Sequence, residues 1–78
     1  MAARDPDQMR LKLRRILIDA RNALNLTQAE LGERLGRNQS FVSSYERARG
    51  IKVVELIEIA EALGLDAQAV LAELAELG

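Results

Sequence analysis

The stretch QAELGERLGRNQSFVSSYER, from Gln28 to Arg47, decides how this chain folds. Apolar residues recur within it at Ala29, Leu31, Leu35, Val42 and Tyr45, spaced for two short helices that meet at Gly36. Two helices crossing at a steep angle need a small residue where they touch. Gly32 holds an inner position of the first helix despite a helix-propensity cost of about 1 kcal/mol, so close packing accounts for it better than propensity does. Gly36 follows the last apolar residue of that helix, where a chain leaving through a left-handed conformation favours a residue without a Cβ. Thr27 stands before Gln28 with Glu30 three residues on, the pattern of a reciprocal capping box, and Asn38 is placed to cap the second helix. Both helix starts are marked, and the turn between them is predicted to be tight.

On a wheel of 3.6 residues per turn, Gln39 to Arg47 separates into two faces. Phe41, Val42 and Tyr45 lie on one, and Gln39, Ser40, Ser43, Ser44 and Arg47 on the other. Solvated helix faces are usually rich in Glu and Lys. This one offers amides and hydroxyls, which donate and accept at base edges in the major groove without a charge to neutralise, glutamine pairing with adenine in particular. Ser and Gln can also do no more than keep a surface soluble; their attachment to the Gly32 and Gly36 spacing is what directs the reading towards DNA.

Three segments, LTQAELGERLG, NQSFVSSYER and VVELIEIAEALGLD, together resemble the lambda-repressor and Cro-like helix-turn-helix family, also called the XRE family. The resemblance runs from Ile16 to Leu74 and keeps the small residue, the turn glycine, Val42, the Tyr45-Glu46-Arg47 ending and the following amphipathic helix in order. It implies that Gln28 contacts a DNA phosphate and that Asn38, Gln39, Ser40, Ser43 and Ser44 face the groove. Arg37 and Arg47 would then contact the DNA backbone. Two positions depart from the family pattern. Ala48 stands where many relatives have a glycine ending the recognition helix, a role Gly50 could assume, and Lys52 is a poor N-cap for the next helix. The loop from Ala48 to Lys52 is therefore expected to differ locally.

Outside the motif the apolar spacing stays helical and no run alternates with period two, so the fold class is all-α. With 78 residues, 49% apolar, and Phe41 and Tyr45 as its aromatics, the chain is expected to form one domain over residues 6–78 with an aliphatic core, after a flexible tail at residues 1–5. Five helices are predicted in a compact lambda-repressor-like arrangement. The first starts with Asp5 as cap and Pro6 at its first position and runs through Leu24 before a turn at Asn25, with Met9, Leu13, Ile16, Leu17, Ala20 and Leu24 facing inward. Arg10, Arg14 and Arg21 share a narrow arc of that helix, ordinarily a solvated basic face, with Arg14 the candidate for a phosphate contact. Helix four is predicted from Val53 to Leu63, ending at Gly64, and helix five, about residues 67–77, begins after Asp66.

The net charge of −1 conceals a polarity: residues 1–50 hold ten Arg or Lys against six acids, while residues 51–78 hold Lys52 against six acids. A basic front bearing the motif and an acidic rear would orient the chain on DNA, because affinity follows local phosphate contacts rather than net charge. The chain has no Cys and no His, hence no thiolate nucleophile, imidazole base or usual zinc ligands, and its five glycines are scattered rather than gathered in a phosphate cradle. Neither an enzyme nor a cofactor or metal protein is expected. No apolar run reaches about 18 residues and no hydrophobic segment follows a basic start, which argues against membrane and secretory readings.

Helix five spreads Ala67, Val70, Leu71, Leu74 and Leu77 over an arc wider than one buried seam needs. The surplus predicts a two-fold partner through Val70, Leu71, Leu74 and Leu77, although the same leucines could instead close over helix one, where Leu11 and Ile18 also lie outside the inward arc. The sequence is thus expected to encode a cytoplasmic transcriptional regulator, a homodimeric repressor of an inverted-repeat operator in double-stranded DNA, controlled by its concentration or by a protein regulator. Alternatives within DNA binding are a restriction-modification controller protein or the antitoxin of a toxin pair. An alternative of another class is an interaction adaptor that keeps the fold without DNA affinity. A protein-binding helix would expose apolar or aromatic anchors where this chain has Gln39 to Ser44.

Overall fold

The computed structural model describes residues 5–47 and 49–76, arranged as α1 (Pro6–Ala23), α2 (Gln28–Leu35), α3 (Gln39–Arg47), α4 (Val53–Ala62) and α5 (Ala67–Ala75). The all-α expectation holds, and each helix falls within a residue or two of its predicted bounds. The expected tail at residues 1–5 lies outside the described residues except for Asp5, which caps α1 by accepting from the Asp7 N–H at 2.9 Å.

Every helix sends at least one residue into a single core: Leu17 from α1, Leu31 from α2, Val42 and Tyr45 from α3, Leu56 and Ile59 from α4, and Val70 from α5, with Leu63 beneath the α4–α5 turn. α3 packs chiefly on α2 and α1, α4 on α2, and α5 on α1 and α4. Of the residues expected to face inward from α1, Leu17 is fully buried, and Leu13, Ile16 and Ala20 pack on the core. Leu24 is a correction. It follows the last turn of α1 as the C-cap, where the chain has already begun to leave the helix, and its side chain is exposed.

The four connections between helices close in the same way, with an N–H reaching back five residues: Leu26 to the Arg21 carbonyl, Arg37 to Gly32, Arg49 to Ser44 and Leu65 to Ala60. This bond satisfies a carbonyl that the end of a helix would otherwise leave without a partner. In the turns where the residue before the donor is described, it has positive φ: Asn25, Gly36 and Gly64. Gly50, considered as a left-handed substitute at the end of α3, is not in that conformation; Ala48, the other half of that expectation, lies outside the described residues.

The anticipated irregularity at Lys52 is absent. Lys52 takes an ordinary extended cap conformation, and although it offers no acceptor, Glu55 accepts from its N–H at 3.0 Å. One half of a capping box therefore suffices here, with Glu55 anchored in turn by Arg49 at 3.2 Å. At α2 both halves are present. Thr27 Oγ1 accepts from the Glu30 N–H at 3.0 Å and Glu30 accepts from the Thr27 N–H at 2.8 Å; the second of these bonds, above all, holds the Glu30 carboxyl below its ordinary pKa.

Gly32 is where α2 meets the chain entering α3. A Cβ there would lie 2.9 Å from the Arg37 carbonyl oxygen and 3.1 Å from the Asn38 carbonyl, both backbone atoms that cannot swing aside. Gly32→Ala is therefore expected to destabilise by about 1–3 kcal/mol through forced displacement of the turn, even though alanine is the better helix former by about 1 kcal/mol. Thermal denaturation checks this: an unchanged or raised Tm would show that α2 and α3 can separate at no cost.

Candidate nucleic-acid interface

The polar face predicted for α3 is present. Gln39, Ser40 and Arg47 are exposed, Ser43 and Ser44 half-buried at its edges, while Val42 and Tyr45 are in the core and Phe41 packs against it. Asn38 does cap α3. Its Oδ1 accepts from the Phe41 N–H at 3.3 Å and from the Ser40 hydroxyl, so the acceptor half of its amide is engaged and its NH2 is the group left to face outward.

Gln39 is held from behind. Its Nε2 donates to Gln28 Oε1 at 3.4 Å, and Gln28 Nε2 donates to Glu46 Oε1 at 3.0 Å. Glu46 in turn takes a two-pronged ion pair from Arg21, Nε to Oε2 at 2.7 Å and Nη2 to Oε1 at 3.1 Å, and Arg21 Nη1 donates to the Leu26 carbonyl at 2.7 Å. The Arg21 and Glu46 side chains are 13% and 7% exposed, so both charges are largely withdrawn from water and neutralise each other. This partnership raises the Arg21 pKa. Tyr45 lies alongside; burial above all, then the charge of Glu46, pushes its phenol above the ordinary range, which keeps it neutral.

The basic arc of α1 is therefore divided in use. Arg21 is internal and unavailable to DNA; Arg10 pairs with Asp7 at 3.0 Å; Arg14 donates to the Arg47 carbonyl, tying α1 to the end of α3. Arg37 lies with its guanidinium carbon 4.3 Å from the centroid of the Phe41 ring and its Nη2 3.6 Å from Glu58. Arg49 approaches the same ring, at 5.0 Å. Sequence spacing gave no sign of Glu46 as the hub, or of Phe41 between two arginines, because the partners of Glu46 lie 25 and 18 residues away.

The predicted pairing face is altered by the tertiary packing. Val70 is 3% exposed inside the core and is not available to a partner; Leu74 is half-buried, Leu71 is 45% exposed, and Leu77 lies outside the described residues. Exposed apolar side chains also occur on α4, at Val53, Val54 and Ile57. No described helix is long and apolar enough to cross a membrane.

A short helix seated over a glycine on a second one, with its uncharged polar side turned outward and its amide face braced from the core, defines a helix-turn-helix DNA-binding domain. The helix-turn-helix family profile matches residues 17–70, and the chain belongs to that family, in its XRE branch. It is similar to the solved structure of an XRE-family like protein from Pseudomonas syringae pv. tomato str. DC3000, with 39% identity over 90% of this chain and 87% of that one and a TM-score of 0.84. Comparison with curated proteins finds no match. The chain is thus a DNA-binding regulator of the XRE type.

The Arg21–Glu46 pair should be the most sensitive polar contact in the domain. Glu46→Gln leaves Arg21 buried without its counter-charge and is expected to destabilise by about 3 kcal/mol, a Tm fall of more than about 10 °C for a domain of this size. A loss below about 1 kcal/mol in chemical denaturation would show that the guanidinium reaches water when its partner is neutral.

Proposed function

We propose that the chain is a homodimeric repressor that reads an inverted-repeat operator through Gln39, Ser40, Ser43, Ser44 and the Asn38 amide, and acts in the cytoplasm by occluding a promoter. The observation that carries this reading is the hydrogen-bonded series from Arg21 through Glu46 and Gln28, which ends in a 3.4 Å contact that orients the side-chain amide of exposed Gln39 at the start of the recognition helix. A side chain held before binding loses less conformational entropy when it meets a base edge. Gln28 and Arg47 flank that edge as phosphate contacts, with Arg37 at the turn and Arg14 behind Arg47. Control would come from concentration or from a protein regulator.

Selection of bound duplexes from a random pool tests the reading directly. An inverted repeat with half-sites one turn apart is expected, about 34–36 Å between recognition helices; no enrichment, with weak binding that fades as salt rises, would leave only nonspecific charge attraction. Gln39→Ala is expected to relax preference at one base pair and to cost about 1–3 kcal/mol at the selected site, and an unchanged preference would remove Gln39 from the base-reading set.

The pairing face of α5 is reduced to Leu71 and Leu74, with Leu77 following in sequence. Leu71→Glu places a charge in that seam and is expected to weaken dimerisation and operator binding together while leaving a helical monomer. Sedimentation that still reports a dimer would move the interface elsewhere, the exposed Val53, Val54 and Ile57 face of α4 being the next to examine.

A further inference from the structure

Two carboxylates of α4 bind arginines that flank the recognition helix, and their environments differ. Glu55 is 13% exposed and already engaged by the Lys52 N–H and by Arg49, contacts that hold its carboxyl below its ordinary pKa. Glu58 pairs with Arg37 at 3.6 Å, and the two side chains remain 43% and 38% exposed. Glu55 is built into the start of α4, whereas Glu58 forms a loose surface pair of the kind that contributes little to stability. Arg37 does not depend on Glu58 for its position. Its guanidinium also rests on the Phe41 ring, and Phe41 is fixed edge-on to buried Tyr45 with ring centroids 5.8 Å apart.

We propose that Glu58 sets the affinity of this domain for DNA by occupying, at Arg37, the place that a phosphate of the duplex takes. Binding exchanges one anion for another on a guanidinium that Phe41 keeps in place; the duplex phosphate offers the stronger charge-assisted pair, and the weak Arg37–Glu58 contact yields to it. The domain consequently binds more weakly than its own arginines would permit. This inference rests on the DNA-binding reading above and adds to it a residue of α4, outside the helix-turn-helix itself, that tunes the interaction.

The test is a set of salt titrations on the selected duplex with the wild-type chain, Glu58→Gln, Arg37→Gln and the double variant, with Glu61→Gln as a control that removes the same charge from an exposed position of the same helix. Glu58→Gln is expected to tighten binding up to about fivefold at low salt. Arg37→Gln is expected to weaken it and to reduce the slope of log K against log salt by about 0.9, the loss of one phosphate contact. With Arg37 gone, Glu58→Gln should add no more than Glu61→Gln does. Equal gains from Glu58→Gln with and without Arg37, or a gain no larger than that of Glu61→Gln, would reduce the effect to overall charge and overturn the proposal while leaving DNA binding intact. A wild-type chain that enriches no duplex overturns the DNA reading, and the proposal with it.

Discussion

The missing Cβ of Gly32 is the constraint on which the site depends. Backbone atoms of Arg37 and Asn38 lie where that atom would be, so α2 and the chain entering α3 approach more closely than any side chain would allow. That contact sets where α3 begins, while Leu31, Val42 and Tyr45 bury the faces brought together. The Gly36 turn completes the geometry by reversing the chain in a left-handed conformation within a few residues. A helix of nine residues is marginal by itself in water. The orientation of α3 therefore comes from its seat on α2 and α1, and the outward direction of its amide and hydroxyl groups follows from that seat.

Electrostatics connect the interior to that surface. Arg21 and Glu46 neutralise each other almost out of reach of water, and the same Glu46 oxygen that accepts from Arg21 Nη2 also accepts from Gln28, whose own oxygen receives Gln39. Charge is balanced inside, and amide dipoles carry the ordering outward to the exposed Gln39. At the far side of α3 the arrangement is more open. Arg37 and Arg49 lean on Phe41 and are matched by Glu58 and Glu55, so the aromatic ring and two carboxylates link the recognition helix to α4, with which it shares little direct packing.

Much of the local structure was legible in the sequence because its signals are short in range. The Thr27–Glu30 capping box, the Asp5 and Asp66 caps, Pro6 at the head of α1 and the turns at Asn25, Gly36 and Gly64 all depend on residues within a few positions of one another. The division of α3 into faces follows from helical periodicity alone. Lys52 shows the limit even at this range: its side chain cannot cap, yet α4 starts normally because the next turn supplies Glu55 as acceptor.

By itself, then, the sequence determined five helices, the glycine contact, the polar face of Gln39 to Ser44 and the family, since these are encoded by propensity, period and steric exclusion between near neighbours. Tertiary structure alone decided how the charges and surplus apolar residues are used. It placed Arg21 inside rather than on a basic face, made Glu46 the support of Gln28, withdrew Val70 into the core and left Val53, Val54 and Ile57 outside. The physical reason is that helical period fixes only the direction a side chain leaves its own helix. What it meets there depends on how helices distant in sequence are packed.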